Sequence, residues 1–226
     1  MSLDIERIQA ICFDVDGTIS DTDDRWVSSI ERWLKPVRSF LPHKDHGRMA
    51  RWIVMALETP ANFLYSIFDR IHLDNAFSRI YNAFSKQDIG HKPGKHMIIP
   101  RVMEMLTTLR EHYPMAIVSA SKEKHIVDFL RHFQLDDYFK AVATSQTCVY
   151  TKPFPHPIHW AAERLGVDAS NLLMVGDTIP DIRAGRAAGA QTVAVLCGFG
   201  TERELRRAGA DLIVENTADL INVLIR

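Results

Sequence analysis

The chain has 226 residues, of which 46% are hydrophobic and 24% are charged, a composition typical of a globular protein that can bury a core without disulfides. The formal net charge of −1 gives no basic field that would predict a nucleic acid partner. Three cysteines stand far apart without a Cys-x-x-Cys pair, which argues against a disulfide framework or zinc cluster and favours a reducing compartment. No signal peptide or membrane-length apolar stretch is evident, so we expect a cytoplasmic protein with no membrane partner.

A short apolar run from Ile8 to Phe13 predicts a buried parallel strand that ends at Asp14. Residues 18–99 then contain no convincing strand. Their apolar periodicity predicts helices instead, at residues 24–40, 48–58, 60–71 and 74–84. We therefore expect an all-helical insertion directly after the first strand.

After Pro100 the pattern changes to alternating helices and strands. Helices are predicted near Arg101–His112, Lys122–Phe133, His156–Leu165, Ile182–Ala188, Glu202–Ala208 and Ala218–Ile225, and strands at Met115–Val118, Ala141–Ala143, Leu172–Val175, Thr192–Leu196 and Asp211–Val214. This alternation predicts an α/β fold, a parallel sheet with helices on both faces. The core would be discontinuous, residues 1–17 and 100–226, with residues 18–99 inserted as a helical domain.

Two carboxylates leave the first predicted strand together, in the segment Asp14-Val15-Asp16-Gly17-Thr18. Their spacing lets both side chains point toward one site, and Gly17 allows a sharp turn. Covalent phosphoryl transfer needs such a pair, because one carboxylate attacks phosphorus while the other handles the proton of the leaving group. The alternative is a turn or helix-capping motif.

Two further polar residues follow predicted strands. Ser119, beside the N–H of Ala120, could hydrogen-bond a phosphoryl oxygen, although Ser119 or Ser121 could equally cap the next helix. Lys152, which precedes Pro153, could neutralise a phosphate and lower the pKa of a nucleophile. Its alternative is an ordinary surface lysine before a helix.

The segment Gly176-Asp177-Thr178-Ile179-Pro180-Asp181 follows the strand at Leu172–Val175. Carboxylates four residues apart, at a strand end and a helix start, could hold a hard cation through oxygen ligands. The alternative is helix capping by Asp177 or Thr178, with Asp181 in the first turn. The small residues that come next would let a helix pack close to the sheet.

Together, in this order, these segments resemble the haloacid dehalogenase-like superfamily of hydrolases, over residues 1–22 and 100–200. The resemblance implies a Rossmann-like core and makes the helical insertion a class I cap domain that closes over the site. It assigns Asp14 as the nucleophile, Asp16 as the general acid and base, and Ser119 and Lys152 as the groups that hold the phosphoryl oxygens, with the N–H of Ala120 beside Ser119 as a further candidate donor.

The resemblance also implies a Mg²⁺ ion bound by the Asp14 carboxylate, the Asp16 backbone carbonyl and Asp177. Asp181 would act through a bound water or by orienting its neighbours. The physical argument agrees, because an anionic carboxylate that attacks an anionic phosphate requires compensating positive charge.

Asp16 favours phosphate esters over halides, since a halide leaving group needs no proton. We expect a phosphatase that acts on a small phosphorylated metabolite and resembles phosphoglycolate phosphatase. A sugar phosphomutase of the β-phosphoglucomutase type and a non-catalytic binding protein remain alternatives. Substrate choice should lie in the insertion, where Arg48 or Arg51 could contact a substrate anion or could be solvated.

Overall fold

The computed structural model describes residues 3–21 and 97–225. The chain divides into two units, Met1–Asp23 with His96–Arg226, and Asp24–Lys95, and the first unit contains all the described residues. The predicted helices at 24–84, with Arg48 and Arg51, lie outside the described residues, so the cap domain and its boundaries stay predictions.

Six parallel strands form one sheet in the order β3-β2-β1-β4-β5-β6. Their bounds are β1 Ala10–Phe13, β2 Met115–Val118, β3 Ala141–Ala143, β4 Leu172–Gly176, β5 Gln191–Val195 and β6 Leu212–Val214. The predicted Rossmann-like α/β fold is therefore confirmed. The bounds of β2 and β3 are those predicted from the apolar runs.

Helices connect these strands. The α-helices are α1 Val102–Leu109, α2 Glu123–His132, α3 His156–Leu165, α4 Ile179–Ala187, α5 Glu202–Ala208 and α6 Leu220–Leu224. The start predicted for α4 was wrong by three residues, because Thr178 and Asp181 form a capping box that begins the helix at Ile179. None of the helices in the described part of the chain is long and apolar enough to cross a membrane.

Alternate residues of each strand pack against opposite layers of helices. Ile11 and Phe13 of β1 contribute to one apolar core, and Ala10 and Cys12 contribute to the other, as the period of two in a strand requires. Burial of each Ile or Phe side chain contributes about 1.5–3 kcal/mol. This two-sided burial explains why the strands read as continuous apolar runs.

Small residues bring α4 close to the sheet, as the sequence predicted. A Cβ atom on Gly185 would lie 2.7 Å from Cγ2 of Thr192 and 2.9 Å from Cβ of Met174. The helix is thereby fixed against β4, and the side chains that precede it are held at the carboxyl edge of the sheet.

The strand order reverses between β1 and β4, which pair in register with Phe13 opposite Val175. Loops at the carboxyl ends of these two strands run in opposite directions and leave a crevice, where ligands bind in open α/β sheets. Asp14 directly follows the last residue of β1 and Asp177 directly follows the last residue of β4, so both lie at the crevice.

Candidate active site

Asp14 follows β1 directly and begins a tight turn. Its N–H donates to the Val175 carbonyl at 2.9 Å, and the Val15 carbonyl then accepts bonds from the N–H groups of Ile19 and Ser20 at 2.9 and 2.8 Å. Gly17 has a φ of +80°, which favours glycine. The turn leaves Asp14 buried, with 6% exposure, and Asp16 half-buried.

Lys152 reaches the same point from the loop before α3. Its Nζ lies 2.6 Å from Oδ1 of Asp14 and 2.5 Å from Oδ1 of Asp181, and its side chain is 5% exposed. The alternative of an ordinary surface lysine is therefore wrong. Lys152 joins two carboxylates, one after β1 and one in α4, and holds them at a fixed spacing.

Asp181 lies in the first turn of α4, as one of the two sequence alternatives has it, and it also contacts Lys152. Its Oδ1 accepts from Lys152, while its Oδ2 accepts from the N–H of Thr178 at 3.0 Å and from the Thr178 hydroxyl at 2.5 Å. Asp181 thus caps α4 and orients Lys152 at once. A Cβ atom on Gly176 would lie 2.4 Å from Cβ of Asp181, so glycine at that position makes the approach possible.

Asp177 is fully buried in a cradle of backbone and hydroxyl groups. Its Oδ2 accepts from the N–H of Phe199 at 2.8 Å, and its Oδ1 accepts from the Thr18 hydroxyl at 3.2 Å. A Cβ atom on Gly17 would lie 2.4 Å from Oδ2, and one on Gly198 would lie 2.1 Å from it. Both glycines are therefore needed for this orientation of the carboxylate.

The sequence patterns did not predict that the loop after β5 and the hydroxyl of Thr18 would contact Asp177. The available signal was the placement of Gly198-Phe199-Gly200 just after a strand, at the same sheet edge as the other segments. Behind this loop, the fully buried Thr217 donates to the Thr18 carbonyl at 2.6 Å. The turn that follows Asp14 is thus also supported from the end of the chain.

The serines after β2 do not cap the following helix. The N-cap of α2 is Lys122 and has no side-chain cap bond. Ser119 is buried, and its Oγ accepts from the N–H of Ser121 at 3.0 Å, which leaves its own proton without an acceptor among the described contacts. The N–H of Ala120 likewise has no acceptor among residues 3–21 and 97–225, and Ala120 is exposed.

The buried charges do not balance. Ligand atoms of Asp14, Asp177 and Asp181 lie within 4.8 Å of one another, and Lys152 contacts two of the three. Burial raises the pKa of Asp14 to about 8, against the opposing effect of Lys152 and with the support of Asp181 and Asp16. Burial disfavours the charge on Lys152, but Asp14 and Asp181 outweigh it and raise its pKa above the ordinary value.

This arrangement fits a divalent cation. Three buried carboxylates against one lysine leave negative charge, and carboxylate oxygens are the ligands of hard cations such as Mg²⁺. Each oxygen of Asp177 accepts one of the hydrogen bonds described above, and a carboxylate oxygen that accepts a hydrogen bond can also coordinate a cation. Both oxygens of Asp181 accept bonds from Lys152 and Thr178, so this carboxylate also orients its neighbours.

The fold and this edge of the sheet define a Rossmann-like α/β protein with a buried acidic site. The family model described as haloacid dehalogenase-like hydrolase matches residues 11–195. The chain therefore belongs to the haloacid dehalogenase-like hydrolase family, as its sequence motifs indicated, and it is an enzyme of that family.

Curated relatives of the chain are named as phosphatases. The chain is 30% identical over 221 residues to pyrophosphatase PpaX of Anoxybacillus flavithermus, covering 96% of this chain and 97% of that protein. It is 29% identical over 206 residues to phosphoglycolate phosphatase of Neisseria gonorrhoeae, covering 88% and 85%.

Solved structures show the same fold. A family hydrolase from Deinococcus radiodurans, determined with bound phosphate and sodium, has a TM-score of 0.67 at 21% identity and covers 96% of this chain and 95% of that chain.

Proposed function

We propose that this protein is a Mg²⁺-dependent phosphatase that hydrolyses a small phosphomonoester through a phosphoaspartate on Asp14. The observation that carries the proposal is the contact of Lys152 with both Asp14 and Asp181 inside a buried acidic cluster. A nucleophilic carboxylate must be both anionic and fixed in direction. The lysine supplies charge and direction together.

In the first half-reaction, an oxygen of Asp14 attacks phosphorus and the bond from phosphorus to the ester oxygen breaks. Asp16 gives its proton to the departing alkoxide, which leaves as an alcohol. The Ser119 hydroxyl and the Ala120 N–H donate to the phosphoryl oxygens, because both retain a free proton among the described contacts. The Lys152 ammonium stabilises the negative charge on the transferred group.

In the second half-reaction, the Asp16 carboxylate takes a proton from water as the water oxygen attacks phosphorus. The bond between phosphorus and the Asp14 oxygen breaks, which releases inorganic phosphate and restores the Asp14 carboxylate. One proton thus leaves Asp16 with the alcohol and one returns from water, so the enzyme ends as it began.

Asp14, Asp177 and the Asp16 backbone carbonyl would hold the Mg²⁺ ion. When bound, the cation supplies Lewis acidity and charge compensation worth several kcal/mol at the transition state. With Lys152 beside it but without the cation, burial raises the pKa of Asp14 to about 8, so much of it would be protonated and unreactive near neutral pH.

The names of the relatives suggest two substrate classes. Phosphoglycolate is a small monoester with a second negative group, and pyrophosphate carries a phosphate as the leaving group. We put the monoester first, because a general acid such as Asp16 matters most for a strongly basic leaving group. The cysteines are free, which supports a reducing, cytoplasmic setting.

The test is to trap the phosphoenzyme. The protein is mixed with Mg²⁺ and p-nitrophenyl phosphate, quenched in acid and digested, and the peptide that contains Asp14 is examined by mass spectrometry for an added phosphoryl group. Asp14→Asn should show neither this product nor turnover, while Asp4→Asn, which changes an exposed carboxylate, should behave as the wild type. Turnover by Asp14→Asn would place the nucleophile elsewhere.

A second assay compares phosphoglycolate, pyrophosphate and a sugar bisphosphate, with phosphate release as the readout. Release from phosphoglycolate supports the monoester assignment, and release from pyrophosphate alone replaces it. Phosphoryl transfer within the sugar without release of phosphate would indicate a mutase.

A further inference from the structure

Asp16 has a described partner that none of the sequence motifs includes. The Ser121 hydroxyl donates to Oδ2 of Asp16 at 2.7 Å, across 105 positions of sequence and between the loops that follow the neighbouring strands β1 and β2. Both residues are half-buried at the carboxyl edge of the sheet. This contact joins the proposed proton carrier to a residue without an assigned role.

Ser121 is itself held firmly. Its N–H donates to Oγ of Ser119 at 3.0 Å, and its carbonyl accepts from the N–H of Ser145 at 3.1 Å. Backbone groups on both sides of its Cα are thus fixed, so the hydroxyl has a defined starting point. A serine that is anchored in this way can restrict the direction of the carboxylate that it contacts.

Helix capping does not account for this hydroxyl. α2 begins after Lys122 without a side-chain cap bond, and the N–H of Glu123 donates to Oε1 of Gln146 at 3.2 Å. The first turn of the helix therefore uses Gln146, and the oxygen of Ser121 is directed to Asp16 instead.

We propose that Ser121 is a positioning residue for Asp16, and that it holds the carboxyl group where it meets the leaving-group oxygen. This inference rests on the proposed function. A hydroxyl suits the role because it donates to Oδ2 both when the carboxyl group is anionic and when its single proton is on the other oxygen, where that proton is available to the leaving group. The contact therefore persists when Asp16 gives its proton to the alkoxide and when it takes one from water.

The proposal makes a prediction that depends on the leaving group. Phenyl phosphate and p-nitrophenyl phosphate have nearly the same shape, but phenolate is the stronger base and needs the proton more. Loss of Ser121 should misplace the general acid, whose full contribution is on the order of 10²–10⁴-fold. The kcat/KM of Ser121→Ala should fall about 10–100-fold for phenyl phosphate and less than about threefold for p-nitrophenyl phosphate.

Three variants complete the experiment. Ser121→Thr keeps the hydroxyl and should restore kcat/KM for phenyl phosphate to within about threefold of the wild type. Ser170→Ala, at the opposite end of β4, is the matched serine control and should leave both substrates unaffected. Thermal unfolding of each variant checks that the fold is intact.

An equal loss for the two esters in Ser121→Ala, no loss for either, or failure of Ser121→Thr to restore activity would each overturn the positioning role. A wild-type protein that hydrolyses neither ester and forms no phosphoenzyme would instead contradict the proposed function. The two failures are therefore distinguishable.

Discussion

Acidic and basic side chains lie at both ends of the parallel sheet, but the two ends differ in how deeply these side chains are buried. At the carboxyl end, Asp14, Asp177, Asp181 and Lys152 are all at most 6% exposed. At the amino end, a cavity of about 270 Å³ is lined by Asp4, Arg7, Arg186, Gly189, Ala190, Gln191 and Asp211. This cavity lies at the end of the sheet that is away from the buried acidic cluster.

Charged side chains at the amino end form hydrogen bonds with other groups of the protein. Asp211 accepts at Oδ2 from the N–H and the hydroxyl of Thr192, both at 2.9 Å, and Nη1 of Arg186 donates to the Gly209 carbonyl at 2.6 Å. The Gln191 amide bonds both backbone groups of Asp4. These contacts hold β5, the segment before β6 and the N-terminal segment together, so their role is to stabilise the fold.

Burial and imbalance of charge distinguish the carboxyl end. Water screens the more exposed charges of the amino end, such as Arg186, whereas removal of charge from water at the other end is costly unless it is paired. A protein tolerates such an arrangement where a ligand or reaction uses it, and perturbed ionisable groups concentrate at functional sites.

Replacement of Lys152 should have the largest effect. Lys152→Met leaves Asp14 and Asp181 buried without their cation, so we expect kcat/KM to fall ~10²–10³-fold or more. The free energy of unfolding, measured in EDTA at pH 8, should fall by about 3–5 kcal/mol.

The matched control for Lys152→Met is Lys140→Met, because Lys140 is exposed before the amino end of β3. It should change neither quantity noticeably. Similar losses in both variants would mean that methionine itself, and not the loss of a buried cation, is responsible.

Much of the fold follows from local patterns. Apolar runs predicted the strands Met115–Val118 and Ala141–Ala143, and apolar periodicity predicted helix His156–Leu165, because both signals are contained in short segments. Site residues at strand ends were predicted for the same reason, since the carboxyl ends of parallel strands share one edge of the sheet.

The remaining contacts depend on register and backbone, which short segments do not encode. Thr18 and Asp177 are 159 positions apart, and their contact follows from the pairing of β1 with β4. The N–H of Phe199 that binds Asp177 is a backbone group, so any residue other than proline at that position would provide it. The position of Ser121 in the sequence is typical of a helix cap. In the structure, however, the side chain of Gln146 accepts from the first turn of the helix instead.

A glycine substitution at each edge provides the next test. A Cβ atom on Gly198 would lie 2.1 Å from Oδ2 of Asp177, so Gly198→Ala must rotate that carboxylate out of its cradle. We expect kcat/KM to fall about tenfold or more, since misplacement of a site group by about 1 Å can cost ~10²-fold. Titration calorimetry should show weaker binding of Mg²⁺.

Gly189→Ala at the amino edge is the control. Gly189 has a φ of +82°, and a Cβ atom there would have nothing within 4 Å, so alanine should cost about 1–2 kcal/mol of stability through backbone strain. Its activity and Mg²⁺ affinity should be unchanged. A loss of Mg²⁺ affinity in this variant would remove the distinction between the two edges.

The pH dependence of stability should differ between the wild type and Asp14→Asn. Asp14 has a folded pKa of about 8 against an ordinary value of 3.8, so between these values the folded protein binds a proton that the unfolded chain has lost. Its contribution to stability is complete below the ordinary value and is lost as pH rises through about 8. In EDTA the wild type should therefore lose stability from about pH 5 to about pH 8 more steeply than Asp14→Asn.

Mg²⁺ should remove much of this difference in slope, because a cation favours the anionic carboxylate that burial opposes. Thermal unfolding of both proteins at about pH 5 and about pH 8, with EDTA or with Mg²⁺, measures this difference in the pH dependence of stability. Equal slopes for wild type and variant in EDTA would show that burial of Asp14 is not what destabilises its charge.

Arg186→Gln at the amino edge should have the smallest effect. The substitution removes the bond to the Gly209 carbonyl and an ion pair with Asp211 at 4.0 Å, in which the arginine side chain is 41% exposed. Exposed pairs contribute about 0–1 kcal/mol, and Asp211 keeps its bonds to Thr192. Denaturant unfolding should therefore show a loss below about 1 kcal/mol, with kcat/KM unchanged. A clear loss of activity would mean that the amino edge takes part in function, and that charge exposure does not separate the two ends of this sheet.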